Sequence, residues 1–241
     1  MSRIRAASIH LLLSALIGGT LLGLFWFVWY PTPLFLAVGG HQIFLMLLAI
    51  DVVLGPLLTL IVFKTSKKNL KLDLAVIAFV QAAALAYGVQ TLLVGRPVYI
   101  AALGHRFDVI QANEVEKSDI EKANSSLPWF GPVWTGTESP KNQKERENLM
   151  FGGADLGSLP QYHVPLGQMR DELLRRSESI VKLKSYNPGQ EANIDDWLKR
   201  RGYYADIVRY QGLKARSRDM AVILDGRDAS VVGVAPFNPW P

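Results

Sequence analysis

The sequence predicts a membrane protein with three transmembrane α-helices, N-terminus inside and C-terminus outside, followed by a small α+β periplasmic domain with an antiparallel sheet. Three observations carry this reading. Three long apolar runs fill the chain up to Leu93, the Lys and Arg residues between them are confined to one side, and nearly all other charge lies beyond Gly95. The expected division is residues 1–95 for the three-helix transmembrane domain and 96–241 for the periplasmic one.

Ile9 to Trp29 is a 21-residue run with no charge after His10. Ile43 to Phe63 is another 21, interrupted only by Asp51, and Leu74 to Leu93 is 20, with Gln81, Gln90 and Thr91 as its polar members. At ~1.5 Å per residue each reaches across the ~30 Å hydrocarbon layer. A buried core helix accounts for one such run, not for three in succession. The first run has the basic start of a signal peptide, Arg3 and Arg5, but its apolar stretch exceeds the usual ~7–15 residues and no small-x-small site follows before Pro31. It reads as an uncleaved helix.

Orientation follows from the short loops. Arg3 and Arg5 precede the first helix, Pro31 to Gln42 holds no Lys or Arg, and Lys64 to Asp73 holds four lysines, so the N-terminus and second loop lie inside. Phe25, Trp26, Phe27, Trp29 and Tyr30 then land at the outer interface, where amphipathic rings prefer to lie. The net charge of +5 is mostly a record of this orientation: basic residues at the N-terminus and inner loop supply +6, Asp51 and Asp73 remove 2, and the remainder adds +1. It gives no reason to expect nucleic acid.

The remaining segment is long enough for its own core. Val98–Leu103 and Phe107–Ala112 read as strands joined at Gly104-His105, with a short helix over Ser118–Asn124. Leu127–Gly136 is a Pro/Gly/Trp-rich loop. Ser139-Pro140 opens a polar helix running to Met150, and Gly152–Gly157 and Pro160–Pro165 are irregular. Apolar spacing predicts one helix over Leu166–Lys184, and Asn193 caps another over Ile194–Arg201. Strands at Ala205–Leu213, Met220–Leu224 and Ser230–Ala235 close the chain, the last two joined by an Asp225-Gly226-Arg227-Asp228 turn.

Little in this pattern points to catalysis. Zero cysteines exclude a disulfide scaffold, a Cys-ligated zinc site and a thiol nucleophile. There is no Gly-rich phosphate loop, HExxH or G-x-S-x-G. His10, His41, His105 and His163 are scattered, with solvated or interfacial roles expected, and no cofactor or metal is expected. Asp51 is the residue that costs energy: a carboxylate near mid-bilayer costs roughly 2.5–3.5 kcal/mol on insertion scales and marks a candidate site. Its expected partner within the bundle is Thr20, at nearly the same depth, ahead of Gln81. Asp51, Gly55 and Thr59 share a helical face, and Pro56 should kink the helix and free a carbonyl. Ala15, Gly19 and Gly23 form a small-residue stripe suited to close packing, internal or with a partner.

The run Ile50-Asp51-Val52-Val53-Leu54-Gly55-Pro56-Leu57-Leu58-Thr59-Leu60-Ile61-Val62-Phe63, with Leu70-Lys71-Leu72-Asp73-Leu74 and Gln81-Ala82-Ala83-Ala84-Leu85-Ala86-Tyr87-Gly88, resembles the TfpX/TfpZ family of type IV pilin accessory proteins. The likeness reaches upstream to Phe27-Val28-Trp29-Tyr30-Pro31 and downstream to Gly95-Arg96-Pro97-Val98 and Arg106-Phe107-Asp108. The resemblance implies a non-enzymatic inner-membrane factor whose partners are a type IV major pilin and membrane lipid. It supplies no catalytic motif. Asp51, Gly55, Pro56, Thr59, Gln81 and Thr20 are the candidate intramembrane interaction residues, for the physical reasons above. Two alternatives stay open: a membrane-anchored enzyme with its site near Trp129 and Trp134 that modifies pilin or an envelope polymer, and a periplasmic sensor.

Overall fold

Each apolar run becomes a helix longer than the run itself. The structure, a computed structural model, describes residues 2–64, 68–152 and 155–241. Helix α1 spans Arg3–Trp29, α3 Gly40–Val62 and α4 Leu70–Val94, all long and apolar enough to cross a membrane. Between the first two lies one short turn of helix, α2 (Leu34–Ala37). Helix α3 starts three residues ahead of Ile43 because Gly39, at φ +80°, turns the chain into it. Asp73 falls within the first turn of α4, where a carboxylate complements the helix dipole. Of the four loop lysines, Lys67 lies outside the described residues.

Glycines set the helix contacts. A Cβ at Gly18 of α1 would meet Leu48 of α3 at 2.9 Å, and one at Gly88 of α4 would overlap Leu47. The small-residue face that α1 buries is Ala6, Ser14 and Gly18. Ala15 and Gly19 are exposed instead, and a Cβ at Gly19 or Gly23 would have nothing within 4 Å among the described residues. The expected interfacial aromatics also divide. Phe25 and Tyr30 are buried and pack edge-on against Phe44 and Phe35, whereas Phe27 is 83% exposed. One helix cannot present consecutive residues to the same surroundings, so its inward face takes Phe25 and leaves Phe27 to the lipid side.

Strands β1 (Pro97–Ala102), β2 (Phe107–Gln111), β3 (Val133–Thr137), β4 (His163–Pro165), β5 (Glu178–Ser179), β6 (Val208–Lys214), β7 (Met220–Asp225) and β8 (Val231–Ala235) form one sheet in the order β4-β3-β1-β2-β6-β7-β8, with β5 also on β6. It is predominantly antiparallel, with two parallel seams, β1/β3 and β2/β6. Both seams join strands separated by long crossovers, which parallel pairing requires. Strand β7 is buried throughout because both faces are covered. Met220, Val222 and Leu224 join a core that continues into Phe25, Tyr30, Phe44 and Leu92 of the membrane part. Ala221 and Ile223 face helices α8 (Ile180–Ser185) and α9 (Glu191–Lys199) through Ile180, Ile194 and Trp197.

Several local expectations change. The single helix over Leu166–Lys184 is broken into a 3-10 turn at Leu166–Met169, helix α7 (Arg170–Arg176), strand β5 and α8. Serines cause the break: Ser177 accepts from Arg209 at 3.0 Å through its hydroxyl, and Ser179 caps α8 by accepting from the Lys182 N–H. Helix α6 runs over Gln143–Gly152, beginning after Asn142, whose side chain accepts from the Lys144 N–H. Helix α9 starts before Asn193, at Glu191. Part of the Trp-rich loop is strand β3. The short helix α5 is Lys117–Lys122. In the stretch Gly152–Gly157, Gly153 and Ala154 lie outside the described residues.

Candidate functional site

Asp51 sits at the centre of α3, 11 residues from either end, ~16 Å from each at 1.5 Å per residue. The local cause of the site is Pro56. Residues Ala49–Leu54 widen into a π-helix, and the Gly55 N–H donates to the carbonyl of Ile50, five residues back. In the same pattern the Asp51 carbonyl would accept from residue 56, and proline has no N–H to give. An unpaired carbonyl in hydrocarbon costs several kcal/mol. Gln81 of α4 answers it: its Nε2 reaches the Asp51 carbonyl oxygen at 3.5 Å. Gly55 makes this possible, since a Cβ there would overlap the Gln81 amide.

Thr20 does not take part. Its hydroxyl donates to the Leu16 carbonyl of its own helix at 2.9 Å, and it is exposed. Matched depth was the reason to expect Thr20 beside Asp51, but the rotation of α1 points it away. Thr59, on the Asp51 face, is 4% exposed and pairs with His10 Nδ1 at 2.7 Å. His10 is therefore a bundle contact, not an interfacial side chain. Two acceptors are left over at this point: Asp51 Oδ1 and Gln81 Oε1 are buried with no hydrogen-bond partner among the described residues. The site can take a donor or a cation delivered within the bilayer.

Two features of the sheet domain had no signal in the sequence. Arg106 grips Asp108 with two hydrogen bonds, 2.6 and 3.0 Å, at the edge of a ≈510 Å³ cavity also lined by Glu114, Asp119, Asp155 and Lys214. Burial raises the Asp108 carboxyl above its ordinary value; Arg106 opposes this and neighbouring Asp155 adds to it. His163 is half-buried, its Nε2 on the Gly157 carbonyl at 2.8 Å and its ring edge-on to Tyr99, so burial lowers its pKa. That is a packed histidine, not the solvated one expected.

The Trp-rich loop forms a bracket to the membrane part. Gly131 N–H donates to Val28 of α1 at 2.8 Å, Arg96 lies over Trp129 at 5.1 Å, and Trp134 packs edge-on against Phe107. Phe130 remains 84% exposed at the end of the helices.

Comparison with known proteins is informative over most of the chain. The family model described as fimbrial assembly protein FimB matches residues 1–39. The chain is similar to the fimbrial assembly protein, serogroup I, of Dichelobacter nodosus, with 29% identity covering 92% of this chain and 90% of that protein. The serogroup E1 protein of the same organism is 26% identical with the same coverage. The protein of serogroups C1 and C2 is 35% identical over 118 residues, 48% of this chain and 86% of that protein. No solved structure matches. By identity and coverage together, the chain belongs to the family of fimbrial assembly proteins.

Proposed function

We propose that the protein is a non-catalytic accessory factor of type IV pilus assembly that holds a major pilin in the bacterial inner membrane. The relatives named as fimbrial assembly proteins support the assembly role. The observation that carries the pilin-binding reading is the pair of unsatisfied acceptors at mid-bilayer, Asp51 Oδ1 and Gln81 Oε1. A helix that brings a donor or a positive charge to that depth would supply what these acceptors lack. Pilin stems present an apolar helix that carries an acidic residue and, after processing, a cationic amine, and the amine is the group assigned here to this acceptor. Arg3, Arg5, Lys64, Lys68 and Lys71 face the cytoplasm in this reading, and the sheet domain meets the pilin head in the periplasm.

Photo-crosslinking from Val53, 60% exposed and two residues from Asp51, tests the reading in cells that express pilin. The expected result is a pilin adduct that weakens severalfold in Asp51→Asn, with a parallel loss of surface pili. Unchanged crosslinking and piliation would remove Asp51 from the mechanism. A change in pilin mass that disappears on deletion of this protein would favour the enzymatic alternative.

A further inference from the structure

Between helix α5 and strand β3 the chain runs through Leu127-Pro128-Trp129-Phe130-Gly131-Pro132. From Ala123 to Thr137 it carries no charged side chain. Trp129 is 60% exposed, Phe130 84% and Val133, which follows, 48%. A cluster of exposed apolar side chains marks a surface that meets something other than water.

The level of this loop is fixed on both sides of the two rings. After them, the Gly131 N–H donates to the Val28 carbonyl of α1 at 2.8 Å. Before them, the Pro128 carbonyl accepts from Arg96 Nη2 at 3.3 Å, and Nη1 of the same guanidinium donates to the Leu93 carbonyl of α4 at 2.8 Å. That guanidinium also lies over the Trp129 ring, which holds the indole in place. Val28 and Leu93 stand where the apolar runs of α1 and α4 end. The runs from Ile9 to Trp29 and from Leu74 to Leu93 each cover about 30 Å, the thickness of the hydrocarbon layer. Trp129 and Phe130 are therefore pinned at the hydrocarbon boundary, at the level of the exposed ring of Phe27.

The backbone suits that level as well. Irregular backbone is costly in hydrocarbon because its polar groups lack partners. Pro128 and Pro132 have no N–H to satisfy, and Gly131 has given its own to Val28. Half of this six-residue loop thus brings no free donor to the boundary.

We propose that Trp129 and Phe130 insert into the leaflet on the domain side, so that the loop is an interfacial anchor of the sheet domain and its partner is lipid. Aromatic rings prefer that depth, with the indole N–H at the headgroups. The inference stands on the loop and the helix ends and asks nothing of Asp51 or of a pilin contact.

The chain has no cysteine, so single spin labels can be placed without removing native thiols. The full-length protein labelled at Phe130→Cys is reconstituted alone into vesicles of phosphatidylethanolamine and phosphatidylglycerol. Its collisions with oxygen and with a water-soluble nickel chelate are then compared. Phe27→Cys gives the lipid value. Tyr204→Cys gives the aqueous one: it is 68% exposed and precedes β6, which runs parallel to β2 toward the helix ends. The oxygen-to-nickel ratio at Phe130 should match Phe27 and exceed Tyr204 about tenfold, because the polar chelate stays out of hydrocarbon. A ratio equal to that of Tyr204 overturns the proposal. A ratio that rises only when pilin is added to the vesicles assigns the rings to a protein partner and overturns it too. Without any label, the fluorescence lost in Trp129→Phe should be quenched by lipids brominated near the headgroup end of their chains and spared by iodide; the reverse pattern refutes the insertion.

Discussion

At the scale of single residues, a missing hydrogen organises the membrane part. Pro56 cannot donate to the Asp51 carbonyl, and Gln81 donates from the next helix. Gln81→Leu should therefore destabilise the detergent-solubilised protein by about 1–3 kcal/mol, the cost of an unsatisfied buried acceptor, measured as a lower midpoint of thermal unfolding. Pro56→Ala restores the N–H, so Gln81→Leu should cost less in that background; strictly additive effects would refute the link. In the closing hairpin, two hydrogen bonds from the Arg227 side chain, at 2.9 and 2.6 Å, hold the Asp225 carboxyl down at about 2, below its ordinary 3.8. With the folded value lower than the unfolded one, Asp225 adds stability that is complete above pH 4 and lost as pH falls through about 2. Because Arg227 faces solvent, Asp225→Ala should cost only about 1–2 kcal/mol at neutral pH. The gap from the unaltered protein should close on acid titration. His163, whose pKa is lowered by burial, acts in the same direction near its own ordinary value of 6.5: stability falls as the ring protonates on acidification.

At the scale of elements, α1 has two small-residue faces that the sequence alone does not separate. The face with Gly18 packs on Leu48 of α3, whereas a Cβ on Gly19 or Gly23 would have nothing within 4 Å among the described residues. Gly18→Leu should therefore destabilise the bundle, by about 1–3 kcal/mol of overpacking. Gly19→Leu should leave thermal unfolding unchanged, and lower the pilin crosslink if that face receives the pilin helix. Apolar length and breaking residues made the three membrane helices legible. The broken helix around Ser177 was not, because Leu173, Ile180 and Leu183 keep helical spacing while lying in separate elements, and all three are buried. Periodicity reports which side chains are inward, not whether the backbone between them is continuous.

At the scale of the molecule, the sheet domain is seated directly on the helix ends. Tyr30 donates to the Leu92 carbonyl, the β6–β7 turn bonds to α2, and the Trp-rich loop bonds to Val28. Phe130 is exposed beside this contact, and a large apolar ring at the end of the helices would serve as an interfacial anchor. Phe130→Asp should speed backbone hydrogen exchange in the 127–132 loop by about tenfold or more in lipid bilayers, with little change in detergent-free core strands. Such a seat makes one connected core of the helix ends and the sheet, in which Phe25, Phe44 and Leu92 meet Ile100, Met220 and Val222.

The sequence by itself determined the three spans, the charge asymmetry across them, the closing hairpin and the singular cost of Asp51. All follow from local quantities: apolar length, loop charge, turn residues and the desolvation of one carboxylate. Only the tertiary structure decided that Gln81 and not Thr20 serves Asp51, that β1 and β2 acquire parallel neighbours, and that the Trp-rich loop is tied to the helix ends. Those depend on how each helix is rotated about its axis and on which distant strand closes each edge. Rotation and pairing are set by the packing of side chains far apart in the chain, and no short window of sequence contains them.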